Sequence, residues 1–463
     1  MSGTHCVEHK PDRLEDDACS TLRVLVVAEN IALRLSGETL VPYYYLQGFA
    51  NAGIETWAIC HERVRDQLRE DLEPAQFDRM TFVKDRAVQR VLFRIGALFA
   101  PRIADLVFNQ LIAIVTQWSM RAAVRDLVER HAIDVVFQPT PIAPKSPSFL
   151  FGFGVPVVIG PMSGAMDLPA AFRDMEGAVV RAGIAVSRWL AIGLHQIIPG
   201  KRYAAALIVA NRQTRAALPR PIKGRIIELT ESGVDLARWI PRDYPWERPP
   251  GPVRFVFCSR FVDWKGIGFL VDAFIPLARA GSSELHLVGD GELFDAIGRQ
   301  IAEAGIRDAV TLHGRLPLAE YATLLRRCDV YVTPSLRECG GMAMLEAMTV
   351  GLPVVGVDWG GAAHYTTPAC AILVSPSSKS ALVAGLTQAM LELGGSYARR
   401  RAMGEAARRH VIDDNMTWRA KAETVAAILR DVVAAPPHAR PRTTNAVPSA
   451  LRYRPPASTT ASL

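Results

Sequence analysis

Two glutamates eight positions apart, Glu338 and Glu346, flank a glycine pair, Gly340 and Gly341, within DVYVTPSLRECGGMAMLEAMTVGLPVVGVDWGG (329–361). The apolar run ahead of them predicts a strand ending at Thr333, then a loop carrying Pro334, Ser335, Arg337 and Glu338. The glycines open a helix whose second turn holds Glu346. Glycine lets a ligand approach the backbone closely, and the free N–H groups at a helix start suit phosphate oxygens without a metal. A carboxylate accepts two hydrogen bonds, so either glutamate can grip a vicinal diol, a ribose edge or a sugar edge. Their separation would put two diols at opposite ends of a bound diphosphate. The plainer reading is a buried strand–turn–helix with one exposed and one capping glutamate, and spacing alone leaves both open.

A second segment, Ser259–Gly266 (SRFVDWKG), puts Arg260 and Lys265 in a loop after a strand and next to a helix start. Arginine offers phosphate a planar fork and lysine a compact point charge, so two cations here could neutralise a diphosphate leaving group in place of magnesium. A solvated basic loop is the alternative. Gly289-Asp290-Gly291 adds a tight turn after the next strand, and His313-Gly314-Arg315 follows the one after, where backbone groups could receive a base. Four consecutive loops at one sheet edge suit a nucleotide diphosphate.

The elements that must hold these loops alternate strand and helix. After residue 252 the strand candidates are Val253–Cys258, Leu285–Val288, Val310–Leu312, Val330–Thr333, Val354–Val357 and Ile372–Val374. Ile267, Leu270, Val271, Phe274 and Leu277 repeat at helical spacing between the first two. Before residue 240 the apolar runs are Leu22–Val27, Ile54–Cys60, Val135–Phe137, Val155–Ile159, Ala206–Ala210 and Ile226–Leu229. Such alternation predicts an α/β fold of two Rossmann-like, doubly wound domains facing across a cleft, with ligands at the carboxyl ends of the strands. The expected organisation is a disordered tail over 1–20, a first domain over 21–239, a proline-rich linker over 240–252 and a second domain over 253–414. A helix over 415–434 is expected to return to the first domain, ahead of a disordered tail over 435–463.

The second half resembles the retaining glycosyltransferases of family 4, which have the GT-B fold. Their Glu-x7-Glu signature matches Glu338 to Glu346, and their basic loop matches Arg260 through Lys265-Gly266, with Ser259 where glycine is commoner. In the first half, Ser36-Gly37-Glu38 stands where the family has Gly-Gly. Gly160-Pro161-Met162-Ser163-Gly164 resembles a Gly-Pro-x-Gly-Gly loop, and Glu231-Ser232-Gly233-Val234-Asp235 resembles Asn-Gly-Val-Asp. The resemblance implies that Arg260 and Lys265 hold the diphosphate, Glu346 the ribose and Glu338 the transferred sugar. It places the N–H groups of Gly340, Gly341 and Met342 beside the phosphate and sugar, and Gly37 against the diphosphate from the facing domain. Ser259, Gly289 and Gly314 complete the implied donor site. Gly340 replaces the aromatic of the family's commoner Glu-x-Phe-Gly, and Glu-Cys-Gly-Gly resembles a branch making bacterial exopolysaccharides. The implied activity is metal-independent, front-face hexosyl transfer from a nucleotide diphosphate sugar to a lipid-linked or polysaccharide acceptor, with no cofactor. The rivals are a nucleotide-sugar epimerase, whose acid–base set is not evident, and a non-catalytic sugar-nucleotide sensor or scaffold.

Other features narrow the field. With 53 Lys and Arg against 46 Asp and Glu, the net charge of +7 favours an anionic partner. The basic residues are not concentrated in one domain with aromatic platforms, so nucleic acid is not expected. Seven cysteines without a C-x-x-C pair argue against a zinc ribbon and point to the cytosol. Residues 91–115 and 177–198 are apolar but interrupted by Arg94, Arg102, Asp105, Arg181 and Arg188. They read either as helices packed on a sheet or as a basic face resting on anionic lipid at the inner side of the cell membrane. His61, His131 and His195 are expected at the surface or core edge, and Tyr43-Tyr44-Tyr45 as packing beneath the cleft. No G-x-G-x-x-G follows Val27, which argues against a dehydrogenase.

Overall fold

Runs of Val, Ile and Leu that cannot face water on either side form the centre of two sheets, seen in a computed structural model describing residues 21–33, 37–99, 108, 110–177, 183, 193–243 and 251–435. The first sheet contains β1 (Arg23–Val27), β2 (Glu55–His61), β3 (Met80–Val83), β4 (Val135–Gln138), β5 (Val157–Met162), β6 (Ala206–Val209) and β7 (Arg225–Glu228). Their order is β3-β2-β1-β4-β5-β6-β7, and every pairing is parallel. The helices of this part are α1 (Leu40–Asn51), α2 (Arg65–Asp71), α3 (Pro74–Phe77), α4 (Ala87–Gly96), α5 (Gln110–Arg130), α6 (Gly200–Tyr203) and α7 (Arg212–Ala216).

The second sheet contains β8 (Val253–Cys258), β9 (Ser283–Val288), β10 (Val310–Gly314), β11 (Val330–Thr333), β12 (Val354–Val357) and β13 (Ala371–Val374). It runs β10-β9-β8-β11-β12-β13, again wholly parallel. Around it lie α8 (Ile267–Arg279), α9 (Phe294–Glu303), α10 (Leu318–Arg327), α11 (Met342–Val350), α12 (Gly360–Tyr365), α13 (Lys379–Gly395) and α14 (Tyr397–Asp413). The strand order reverses between β1 and β4 and again between β8 and β11. Such switch points leave a crevice at the strands' carboxyl ends, where open α/β sheets bind ligands.

Two segments cross between the halves. The last helix, α15 (Trp418–Ala434), buries Trp418, Ala422, Val425 and Leu429 in the core of the first sheet, against Val41, Tyr45 and Phe49 of α1. In the opposite direction, Leu168 and Phe172 leave the first sheet and enter the core of the second. Val234, Leu236 and Trp239 also pack with the second sheet's residues, so the chain commits to that half before residue 240, where the linker was expected to begin.

Three local readings need correction. β3 was not anticipated, because Met-Thr-Phe-Val is a half-buried strand at the sheet edge with little apolar contrast. β5 starts at Val157 rather than Val155 and shifts register between Ile159 and Met162. Pro156 and Pro161 have no N–H to donate, and Gly160 sits at φ +117°, so the strand bulges there. β9 begins at Ser283, two residues before the expected Leu285, because Ser283 is already paired with Val253. The segments 1–20, 244–250 and 436–463, with Ser36, Arg102, Asp105, Arg181 and Arg188, lie outside the described residues.

Candidate functional site

The loops after β8 and β11 flank the second switch point and are built as one unit. Lys265 ends a short turn, Asp263–Lys265, and Gly266 follows in a left-handed conformation at φ +69°. A Cβ on Gly266 would lie 2.3 Å from the Pro334 carbonyl oxygen, so only glycine allows this approach. The Leu336 N–H donates to the Trp264 carbonyl at 2.8 Å. The consequence is a direct ion pair between Lys265 Nζ and the Glu338 carboxylate. Lys265 is only 9% exposed, so it is not part of a solvated loop.

Glu338 does not cap the following helix either. α11 begins at Met342 after Gly341 (φ +128°), and that N-cap position supplies no side-chain hydrogen bond to the first-turn N–H groups. The Glu338 carbonyl accepts from Gly361 N–H at 2.7 Å, which ties the loop to the start of α12. Glu346, one turn further into α11, is half-buried, and burial pushes its carboxyl up to about 8 against the opposing pull of Arg238. Tyr331 lies within electrostatic range of both Glu338 and Glu346, and Cys258 within range of both Lys265 and Glu346. The lysine and the two glutamates therefore share one neighbourhood.

The rest of the rim is continuous backbone. Ser259 N–H donates to Val288 O at 3.1 Å, and Gly289 N–H to Gly314 O at 2.8 Å. A Cβ on Gly289 (φ +130°) would come within 1.8 Å of Ser259 O, which restricts that position to glycine. Arg260 is exposed beside Ser259. His313 and His286 face each other at 3.0 Å, and burial pushes both imidazoles below their ordinary range. Gly37, by contrast, is exposed at φ +73° with no atom within 4 Å of a built Cβ.

Several groups at the site had no assigned role in the sequence. Glu231 is 5% exposed, and its carboxylate accepts from the Tyr365 hydroxyl at 3.4 Å. Burial pushes its carboxyl up to about 7, while Lys421, which donates to Thr230 O at 2.7 Å, is pushed down to about 8. A Cβ on Gly340 would meet Ser232 Oγ at 2.3 Å and Glu231 Oε1 at 2.8 Å. Gly340 thus fits where an aromatic could not, and the glutamate loop is pressed against the first half of the chain. The only sequence signal was the position of Glu231-Ser232 at the start of the Asn-Gly-Val-Asp-like loop.

The other candidates are engaged elsewhere. His61 pairs with Asp85 at 2.8 Å, His131 stacks on Trp57, and His195, held by Lys145 O at 3.2 Å, is pushed down by burial to about 4. Tyr44 stacks on Trp418 with ring centroids 4.8 Å apart, and Tyr45 is fully buried.

Residues 244–410 match the family described as Glycosyl transferases group 1, which takes in the whole rim from β8 to α12. This part of the chain is similar to that family. The chain is 32% identical over 117 residues to the amylovoran biosynthesis glycosyltransferase AmsK of Erwinia amylovora, covering 24% of this chain and 29% of that protein. A GDP-mannose-dependent monoacylated alpha-(1-6)-phosphatidylinositol monomannoside mannosyltransferase of Corynebacterium glutamicum is 29% identical over 216 residues, 43% of this chain and 55% of its own length. The chain therefore spans between about a third and about half of these relatives. Among solved structures, a glycosyltransferase from Rickettsia africae superposes with a TM-score of 0.59 at 14% identity over 90% of this chain and 99% of its own. Anabaena HepE in complex with UDP superposes with a TM-score of 0.56 at 15% identity, over 89% and 100%. These likenesses extend the fold match to both halves: the chain has two Rossmann-like domains in the GT-B arrangement.

Proposed function

We propose that the protein is a retaining hexosyltransferase that uses a nucleotide diphosphate sugar and a lipid-linked or polysaccharide acceptor. The observation that carries this reading is the pair of buried Lys265 with part-buried Glu338 at the β8/β11 switch point, beside the start of α11. In the free protein Lys265 is neutralised by Glu338. An arriving diphosphate competes for the ammonium, which frees the carboxylate to accept hydrogen bonds from the hydroxyls of the transferred sugar. Arg260 and the α11 N–H groups take up the remaining charge as the bond to the leaving phosphate lengthens, a role that in other enzymes falls to magnesium. Glu346 accepts the ribose hydroxyls. The departing phosphate oxygen receives the acceptor's proton on the face it leaves, so the configuration is retained and no protein nucleophile is needed. Names of relatives that make amylovoran and mannosylate a lipid-linked inositol support the acceptor class.

The membrane side of this reading rests on α4 and the turn after it. Phe93 is 68% exposed and Leu98 83%, interleaved with exposed Arg86, Arg90 and Arg94 and with no acidic residue between 86 and 99. No helix among the described residues is long and apolar enough to cross a membrane. The face suits shallow contact with anionic lipid, where each basic residue contributes about 1 kcal/mol.

A thermal-shift screen with UDP-, GDP- and ADP-sugars, with and without magnesium, tests the donor. Stabilisation by one donor without metal, together with release of its nucleoside diphosphate, is expected. Equal indifference to all three overturns the reading, and binding without turnover identifies a sensor instead. Cosedimentation with phosphatidylglycerol vesicles should weaken roughly tenfold or more in R90E/R94E, and unchanged binding removes the membrane contact.

A further inference from the structure

The loop carrying Glu338 is held by the other domain. After β5 the chain does not return to the first sheet but crosses to the second. Gly164 N–H donates to Cys339 Sγ at 3.0 Å. Met166 Cε lies 2.8 Å from where a Gly360 Cβ would stand, so the chain passes directly over the start of α12. The Asp167 carbonyl accepts from Trp359 Nε1 at 3.2 Å. Phe172 is fully buried in the second domain's core, edge-on to Phe269 at 5.6 Å. Glu176 then forms an ion pair with Arg337. Both sequence neighbours of Glu338 are thus gripped by one stretch of the first domain.

We propose that residues 163–176 form a strap by which the first domain sets the position of the Glu338 carboxylate, with Glu176 as a positioning residue acting through Arg337. The inference rests on the reading of Glu338 as the sugar-holding group. The arrangement divides the work of the site. The diphosphate is held by Lys265 and α11, which belong wholly to the second domain. The alignment of the sugar depends on a contact between domains, with Phe172 as its apolar anchor and the Glu176–Arg337 pair as its adjustable end. Misplacement of a reacting group by an ångström lowers rate far more than affinity. Loss of the pair therefore acts on turnover, and domain opening relaxes Glu338 before the nucleotide leaves.

The test compares wild type with E176Q and with the charge swap E176R/R337E. Nucleoside diphosphate release gives kcat and the donor KM, and amide hydrogen exchange follows peptides covering 334–341. E176Q is expected to lower kcat about tenfold with the donor KM within about twofold, to speed exchange in 334–341, and to be largely rescued on both counts by the swap. Unchanged kcat and exchange in E176Q overturn the strap, as does a loss confined to donor KM or a swap that rescues neither. If wild type turns over no nucleotide sugar, the proposed function fails. Exchange alone then judges the strap, and unaltered exchange in E176Q overturns it.

Discussion

The two switch points share one architecture and differ in the groups that line them. At β8/β11 the crevice presents Lys265, exposed Arg260 and the open end of α11. At β1/β4 a small cavity is lined by Glu29, Glu38, Gln117, Gln138 and Thr140, and burial raises both carboxyls above their ordinary range. The first offers a polyanion two cations, one of them held by Glu338, whereas the described residues lining the second include none. A neutral polyol, which needs acceptors and amides rather than cations, suits the reverse. The same sheet architecture thus carries two different linings, and the difference lies in the rim residues alone.

The sharpest break of that contrast is K265A. It should lower nucleoside diphosphate release by about a hundred- to a thousandfold, as loss of one group that stabilises developing charge does elsewhere. A fall of less than about tenfold would place the diphosphate elsewhere. G340V comes next, because the new side chain must displace Ser232 Oγ and the buried Glu231 carboxylate. Roughly a tenfold or greater loss of turnover, with a lower melting temperature, is expected by overpacking, and calorimetry beside the transfer assay checks it. A paired measurement then sharpens the comparison. R260A should raise the donor KM by roughly tenfold, the scale of one charge-assisted contact, whereas E38Q should move only the acceptor KM. Equal effects of the two substitutions on the donor would erase the distinction between the crevices.

The smallest expected effect is a slope. An unfolded glutamate titrates near 4.5, while Glu346 holds its proton in the folded protein up to about 8. Between those values the native state binds more protons than the unfolded chain, so this group's contribution to stability falls as pH rises, by at most about 1.4 kcal/mol per pH unit. Denaturant titrations at pH 5 and pH 8 should show a smaller decline for E346Q than for wild type. Parallel curves would mean that Glu346 ionises normally.

What could be read from the sequence followed locality. β8, β11 and β12 begin and end where their apolar runs do, because strands buried on both faces leave no choice of register. Lys265 and Glu338 stand in loops directly after such strands, so placing the strands placed the loops. The half-buried edge strand β3 gave a weak pattern and was missed. Glu176 and Arg337 are 161 residues apart, and each alone looks like an ordinary surface charge. Glu231 becomes distinctive only when Tyr365 and Gly340 surround it, and no periodicity announces such a meeting. Gly37, singled out by resemblance, has an open flank.

The placement of α15 bears on how the polypeptide is made. Its Trp418, Ala422, Val425 and Leu429 close the hydrophobic layer beside α1, so the half of the molecule synthesised first lacks its own cover until the ribosome has passed residue 434. A nascent chain usually folds from the front. Here the order is inverted: the half built on the second sheet is able to mature while the opening half waits, greasy and exposed, for the tail to come back. A transcript cut short before that helix would release a product that precipitates or is degraded rather than a weakened protein.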